Sequence, residues 1–270
     1  MATIEPRRWA AISCVHCPFE NKAAQEALLN ALADAGDRYG ELTDFVMLGD
    51  LIEAGAIGSV HPNEYDHTLE DEYRAAAGYL EAIRSVLPAN CRLHWTLGNH
   101  DDNLQVNDQR RTPAAVRGLI HWSQSPWADA FARWEQYPYR KPSIHEAGGC
   151  LQIGQCVFSH GWDVAQNSSR NEAFQLSYAT GSWPHRLFVR GHTHTVEHVQ
   201  QAHVTPKTPT HTWFCNPGTM GPLRPPYTHR RWAMWMPGVA WGECQVHHRP
   251  SRFPGKCWDA HVEVLDGGGT

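Results

Sequence analysis

The sequence predicts an α/β fold whose ligands collect at the carboxyl ends of parallel strands. Two observations carry that prediction. The first hundred residues alternate strand, helix, strand, helix, strand. Each strand run, and two more further on, ends in a polar cluster, most of them with a glycine that lets backbone approach closely.

Residues 9–13 are a short apolar run ending at Cys14, Val15, His16, Cys17 and Pro18. Ala23, Ala27, Leu28, Ala31, Leu32 and Ala35 then recur at helical spacing, with Gly36 as the stop. Residues 45–48 read as a second buried strand ending at Gly49 and Asp50, and residues 55–67 as an irregular loop over the site. From Thr68 the pattern is helical, with Tyr73, Ala76, Leu80, Ile83 and Val86 on one face and Pro88 as the stop. Residues 93–97 form the third strand and run into Gly98, Asn99, His100 and Asp101.

Residues 102–149 are less regular and read as an insertion or cap rather than a separate domain. Residues 151–153 and 156–159 predict a hairpin around Gly154 that ends at His160 and Gly161. A short helix is expected over 171–178, then a strand at Leu187, Phe188 and Val189, punctuated by Gly191. Residues 212–215 are another strand, closed by Asn216, Pro217, Gly218 and Thr219. Residues 232–236, 239–241 and 261–265 read as strands of a second sheet in an accessory segment at about 222–266, and 267–270 as a disordered tail. No internal repeat is visible, so the 270 residues read as a single domain with a sizeable core.

A net charge of −5 argues against a general electrostatic nucleic-acid binder. No basic-then-apolar leader and no bilayer-length apolar run are present, so the expectation is a soluble, cytoplasmic protein with no membrane partner. Eight cysteines scattered through a long chain suggest reduced thiols. Six of them, Cys91, Cys150, Cys156, Cys215, Cys244 and Cys257, read as buried thiols. Trp122, Trp127 and Trp134 read as core, and His61, His67, His121, His145, His198, His203 and His211 as surface or loop.

His192 and His194 lie two apart, and on an extended segment they would project together as metal ligands. In a chain with 18 histidines one such pair decides nothing. Five clusters in order decide more: Cys14-x-His16, Gly49-Asp50, Gly98-Asn99-His100-Asp101, His160-Gly161 and Gly191-His192-Thr193-His194. This order resembles the calcineurin-like metallophosphoesterase superfamily, and the resemblance runs from about residue 9 to residue 220. The turn from Asn216 to Thr219 is similar to the Asn-Pro-Gly-Ser turn of small members.

The resemblance implies a four-layer αββα sandwich of two mixed β-sheets flanked by helices. It also implies two divalent metal ions, with Mn²⁺, Zn²⁺ and Fe suiting the donors. One ion would take His16, Asp50 and His194, the other Asp50, Asn99, His160 and His192. A bridging hydroxide would be the nucleophile, His100 paired with Asp101 would face the leaving group, and Glu53 would support the ligands from behind. The implied activity is metal-dependent phosphoric ester hydrolysis, with phosphodiesters ahead of monoesters. The expected substrate is a small phosphate ester, such as a nucleotide or short oligonucleotide.

Cys14 departs from the pattern, standing where the superfamily has its first metal-binding aspartate. Either its thiolate ligates a softer site, or it stays protonated and leaves that ion loosely held. Two rival classes follow: a metal-binding protein without catalysis, and a Cys14/Cys17 thiol redox protein. The redox reading leaves the other four clusters unexplained.

Overall fold

The computed structural model describes residues 6–55, 57, 66–110, 118–141, 148–164, 168, 171–172, 175, 186–204, 209–223, 235–246 and 258–267. In chain order the elements are β1 (Arg7–Ile12), α1 (Lys22–Ala33), α2 (Ala35–Tyr39), β2 (Asp44–Met47), α3 (Leu69–Val86), β3 (Arg92–Thr96), α4 (Asn99–Arg110), α5 (Ala128–Ala132) and β4 (Glu135–Tyr137). There follow β5 (Leu151–Ile153), β6 (Cys156–Ser159), β7 (Arg186–Arg190), β8 (Val196–Val204), β9 (Pro209–Pro217), β10 (Gly238–Cys244) and β11 (Trp258–Val264).

The strands form two mixed sheets, ordered β11-β10-β1-β2-β3-β4 and β5-β6-β7-β9-β8. β1, β2, β3 and β4 run parallel, while β10 pairs antiparallel with β1 and β11 with β10. In the second sheet β6, β7 and β9 are parallel, with β5 and β8 antiparallel at the edges.

The pleat explains why the strand runs are apolar at every position. Ala10, Ile12, Phe45 and Met47 point to a core shared with the helices. Their neighbours Trp9, Ala11, Val46 and Leu48 point to a core between the sheets. There they meet Cys156, Phe158, Leu187, Val189 and Cys215 from the second sheet. A strand buried on both faces needs apolar side chains on both. On its other face the second sheet presents Val157, Phe188 and Phe214.

The helices α1 and α3 are each set by a side-chain cap and one apolar face. The Asn21 side chain accepts the Ala24 N–H at the start of α1, which buries Ala24, Leu28, Ala31 and Leu32. Thr68 and Asp71 form a reciprocal capping box on α3, whose first turn is acidic at Glu70, Asp71 and Glu72, favourable at the positive end of the helix dipole. Gly36 does not stop the first helix. α1 ends at Ala33 with Asp34 as its cap, Gly36 lies inside α2, and Gly40 at φ +82° ends that turn instead.

Other expectations about the strands are corrected. Residues 239–241 and 261–265 belong to β10 and β11, which extend the first sheet rather than the second. An apolar run records burial, not the neighbour it pairs with, and here the free edge of β1 takes β10. In the stretch expected to form an insertion or cap, the described residues give α4 from Asn99, β4 paired with β3, and Trp122, Phe131 and Trp134 in the helix-side core. The stretch holding His198, His203 and His211 is the β8/β9 hairpin, not loop. Of residues 171–178, positions 171, 172 and 175 are helical and the rest lie outside the described residues, as do most of 55–67, residues 232–234 and 268–270. Trp235 and Met236 are not in a strand.

Candidate metal centre

The five clusters leave the carboxyl ends of β1, β2, β3, β6 and β7, and the fold ties those ends together. Cys14 N–H donates to Gly49 O (3.0 Å) and His16 N–H to Asp50 O (2.9 Å), zipping the loops after β1 and β2. Gly191 N–H donates to His160 O (3.0 Å), doing the same for β6 and β7. The two halves then touch at two glycines. A Cβ on Gly191 would sit 2.6 Å from Ser13 Cβ, and one on Gly49 would sit 2.5 Å from His160 Nδ1. Only hydrogen fits at either place.

Backbone strain is concentrated here. Among the described residues, non-glycine positive φ occurs at Cys14 (54°), His16 (55°), Asp50 (50°), Ala54 (53°), His192 (70°) and His194 (60°). Five of the six are predicted site residues, each at a cost of about 1 kcal/mol or more. The prediction that His192 and His194 project together from an extended segment is corrected by these angles. Left-handed backbone turns them apart, so His192 meets His160 and His194 meets His16.

The result is two donor sets on either side of Asp50. On one side His160 Nε2 lies 3.1 Å from each of Asp50 Oδ2, Asn99 Oδ1 and His192 Nδ1. On the other, His16 Nε2 lies 3.3 Å from His194 Nε2 and 3.9 Å from Asp50 Oδ2. The Cys14 sulfur falls within 4.8 Å of the His16 and His194 donors, and equally of those of Asp50 and His160. Adjacent donors on a divalent cation with bonds of about 2.1 Å stand about 3 Å apart, so this spacing fits one ion in each set.

The electrostatics agree with that fit. Burial, then the neighbouring His160, holds His192 down at about 3. Burial and His16 hold His194 well below the usual imidazole range. Both are thus neutral, the form that ligates. Despite its burial, Asp50 is held well below the usual carboxylate range by His160, His100 and His16. Burial would pull His100 down, but the Asp50 and Glu53 charges and the Glu53 carbonyl push it up to about 9. Burial and Asp50 push the Asp101 carboxyl up to about 7.

Asp101 does not take its expected place beside His100. Its carboxylate accepts from the backbone N–H groups of Gly98 (2.8 Å), Asp50 (2.8 Å) and Ile52 (3.1 Å), clamping two motif loops together. The His100 ring is oriented by Glu53, whose carbonyl lies 2.7 Å from Nδ1 and whose carboxylate lies 3.6 Å away. The same carboxylate lies 2.7 Å from His16 Nδ1. Glu53, three residues after Asp50, reaches both rings, whereas Asp101 lies in the first turn of α4 and its carboxylate faces backbone N–H groups.

The redox pair loses its basis. Cys14 and Cys17 are free and fully buried, and burial pushes both thiols up, Asp50 adding to it at Cys14 and Glu20 at Cys17. Disulfide exchange requires the opposite shift and an accessible sulfur.

Four residues support the site through contacts that the sequence did not indicate: Asn216, Thr219, Glu172 and Arg190. Asn216 donates to Gly191 O (3.2 Å) and Thr193 Oγ1 (2.8 Å), and Thr219 Oγ1 donates to Cys14 O (2.8 Å). The closing turn therefore holds both left-handed loops. Buried Glu172 accepts the Trp162 (2.6 Å) and Asp163 (2.5 Å) N–H groups and pairs with Arg190 (3.3 Å), fixing the loop after His160. Only the turn carried a signal, its Asn-Pro-Gly string. Glu172 lies in the stretch expected to be a short helix, with no motif to mark its role.

Among described helices none is long and apolar enough to cross a membrane. No curated protein matches the chain. It is similar to the solved structure of Vps29 from Chaetomium thermophilum, at 11% identity, TM-score 0.39, covering 96% of this chain and 93% of that one. It is also similar to the hypothetical protein PH1004 from Pyrococcus horikoshii OT3, at 10% identity, TM-score 0.46, covering 96% and 87%. Residues 7–196 match the family described as calcineurin-like phosphoesterase. With that match over most of its length and the donor geometry above, the chain belongs to the calcineurin-like phosphoesterase family, whose chemistry is metal-dependent phosphoester hydrolysis.

Proposed function

We propose that the chain is a divalent-cation-dependent phosphoric ester hydrolase acting first on phosphodiesters of small molecules, a nucleotide or short oligonucleotide among them. The supporting observation is the position of Asp50, whose Oδ2 stands 3.1 Å from His160 Nε2 and 3.9 Å from His16 Nε2, between two donor sets. Asn99, His160 and His192 would hold one cation with Asp50, and His16 and His194 the other. When bound, the pair supplies an acidified water as nucleophile and neutralises charge on the phosphoryl oxygens. Imidazole, amide and carboxylate donors together suit Mn²⁺, Zn²⁺ or Fe.

His100 handles the proton. Its Nδ1 is occupied by the Glu53 carbonyl, so that nitrogen carries hydrogen and Nε2 is the atom that exchanges a proton with the departing oxygen. This matters most for an alkoxide, which leaves poorly without a proton, and it is why diesters rank first. Asp101 keeps the Gly98 and Asp50 loops in register, and Glu53 keeps the His16 and His100 rings at their angles. Free buried thiols suit a reducing, cytoplasmic setting.

The test is turnover of bis(p-nitrophenyl) phosphate and p-nitrophenyl phosphate with Mn²⁺ or Zn²⁺, for wild type and His100→Asn. Diester turnover that falls about 10²-fold or more in the variant supports the reading. Good monoester turnover with none on the diester makes the chain a phosphomonoesterase. No turnover of either by a protein that binds two cations makes it a metal-binding protein.

A further inference from the structure

The cluster that the function does not absorb is Cys14. Its sulfur is fully buried at the floor of the site, within 4.8 Å of the donor atoms of His16 and His194. A thiol that merely filled space would need no special backbone. Cys14 instead sits at φ +54°, held there by its N–H on Gly49 O (3.0 Å) and by Thr219 Oγ1 on its carbonyl (2.8 Å). The His192 N–H donates to the sulfur at 3.3 Å. A donor aimed at sulfur stabilises its anion, as around metal-bound thiolates. Of the two donor groups around the sulfur, Asp50 with His160 and His16 with His194, the second belongs to the set with fewer donors of its own and brings two borderline nitrogens.

We infer that the Cys14 thiolate is a ligand of the cation held by His16 and His194, and that it biases this position toward thiophilic ions such as Zn²⁺, Co²⁺ or Fe²⁺ over Mn²⁺. The inference rests on the cation-dependent reading above. On binding, the S–H bond breaks, the proton passes to solvent, and the sulfur lone pair forms the bond to the ion; nothing is oxidised or reduced. Soft sulfur in place of hard carboxylate oxygen raises affinity for zinc-like ions and lowers it for manganese. The two positions then differ in softness, and the Asp50, Asn99, His160 and His192 set remains the harder one.

The experiment is X-ray absorption at the zinc edge on zinc-loaded wild type, Cys14→Ser and Cys14→Asp, with metal content measured after equilibration in mixed Zn²⁺ and Mn²⁺. The expected result is a sulfur shell at about 2.3 Å in wild type, absent in both variants. The Zn²⁺-over-Mn²⁺ preference should fall about tenfold or more in Cys14→Asp, which restores a hard ligand. Full zinc occupancy in wild type without a sulfur shell overturns the inference and leaves the hydrolase reading standing. Zinc retained by neither wild type nor Cys14→Asp overturns both. A sulfur shell in a protein that turns over no phosphoester keeps the ligand and removes the hydrolase.

Discussion

Replacing Gly98 with alanine should damage the metal centre without touching a ligand. An added Cβ would stand 2.5 Å from the Asp50 backbone nitrogen and 2.8 Å from Asp50 Cγ, closer still to Oδ1. Ordinary contact begins at 3.4 Å, so the Asp50 backbone must retreat by about 0.9 Å, the difference from 2.5 Å. It has nowhere to go, because Asp101 holds that same nitrogen at 2.8 Å. Overpacking of this kind costs about 1–3 kcal/mol. For a chain of this length that lowers Tm by about 2–10 °C. The larger effect falls on cations, since ligand positions tolerate only about 0.2 Å and Asp50 serves both sets. Affinity for Zn²⁺ or Mn²⁺, read by calorimetry, should drop about 10–100-fold. Gly78→Ala is the control. It lies inside α3 with nothing within 4 Å of an added Cβ, so it should stabilise by about 0.5–1 kcal/mol and leave cation binding alone. Wild-type affinity and Tm in Gly98→Ala would refute the claim that the loops after β2 and β3 are packed to contact.

Three further outcomes are expected. Glu172→Ala strands the buried Arg190 charge and frees two loop N–H groups, costing about 3–5 kcal/mol, measurable by urea unfolding; a change under about 1 kcal/mol would show that this pair does not hold the His160 loop. Asp44, at the opposite end of β2, is brought down from 3.8 to about 2, its burial outweighed by His94, Arg7 and Thr43. A lowered folded value means stability that is present above pH 4 and lost as pH falls toward 2, about 2 kcal/mol in all; the gap between wild type and Asp44→Asn should therefore shrink between pH 4 and pH 2.5, and a constant gap would contradict it. Asp101→Asn should weaken cation binding and lower Tm yet keep the alkaline limb set by His100, moved only slightly down by loss of the Asp101 charge, because Glu53 rather than Asp101 orients that ring; loss of that alkaline limb would restore the Asp101–His100 pairing.

The first three strands, their helices and the order of clusters were legible because each is a local pattern. Apolar runs such as Phe45 to Leu48 and caps such as Thr68 report their own burial and backbone. What the sequence hid was partnership. Nothing in residues 239–241 says that they pair with β1, and nothing in Gly36 says that the chain continues into α2. At the centre, residue types were legible and directions were not. His192 and His194 diverge because their backbone is left-handed, which two-residue spacing cannot reveal. Asp101 turns to backbone amides from the first turn of α4, a helix that the irregular composition after Gly98 concealed. Glu172 and Arg190 lie far apart in sequence with no motif to join them.

Anomalous diffraction from crystals soaked in Zn²⁺ or Mn²⁺ tests the central claim most directly. Two peaks should flank Asp50, about 3.5–4 Å apart, one against Asn99, His160 and His192 and the other against His16 and His194. Peaks absent from Asp50, or a lone peak at surface carboxylates, would contradict the account.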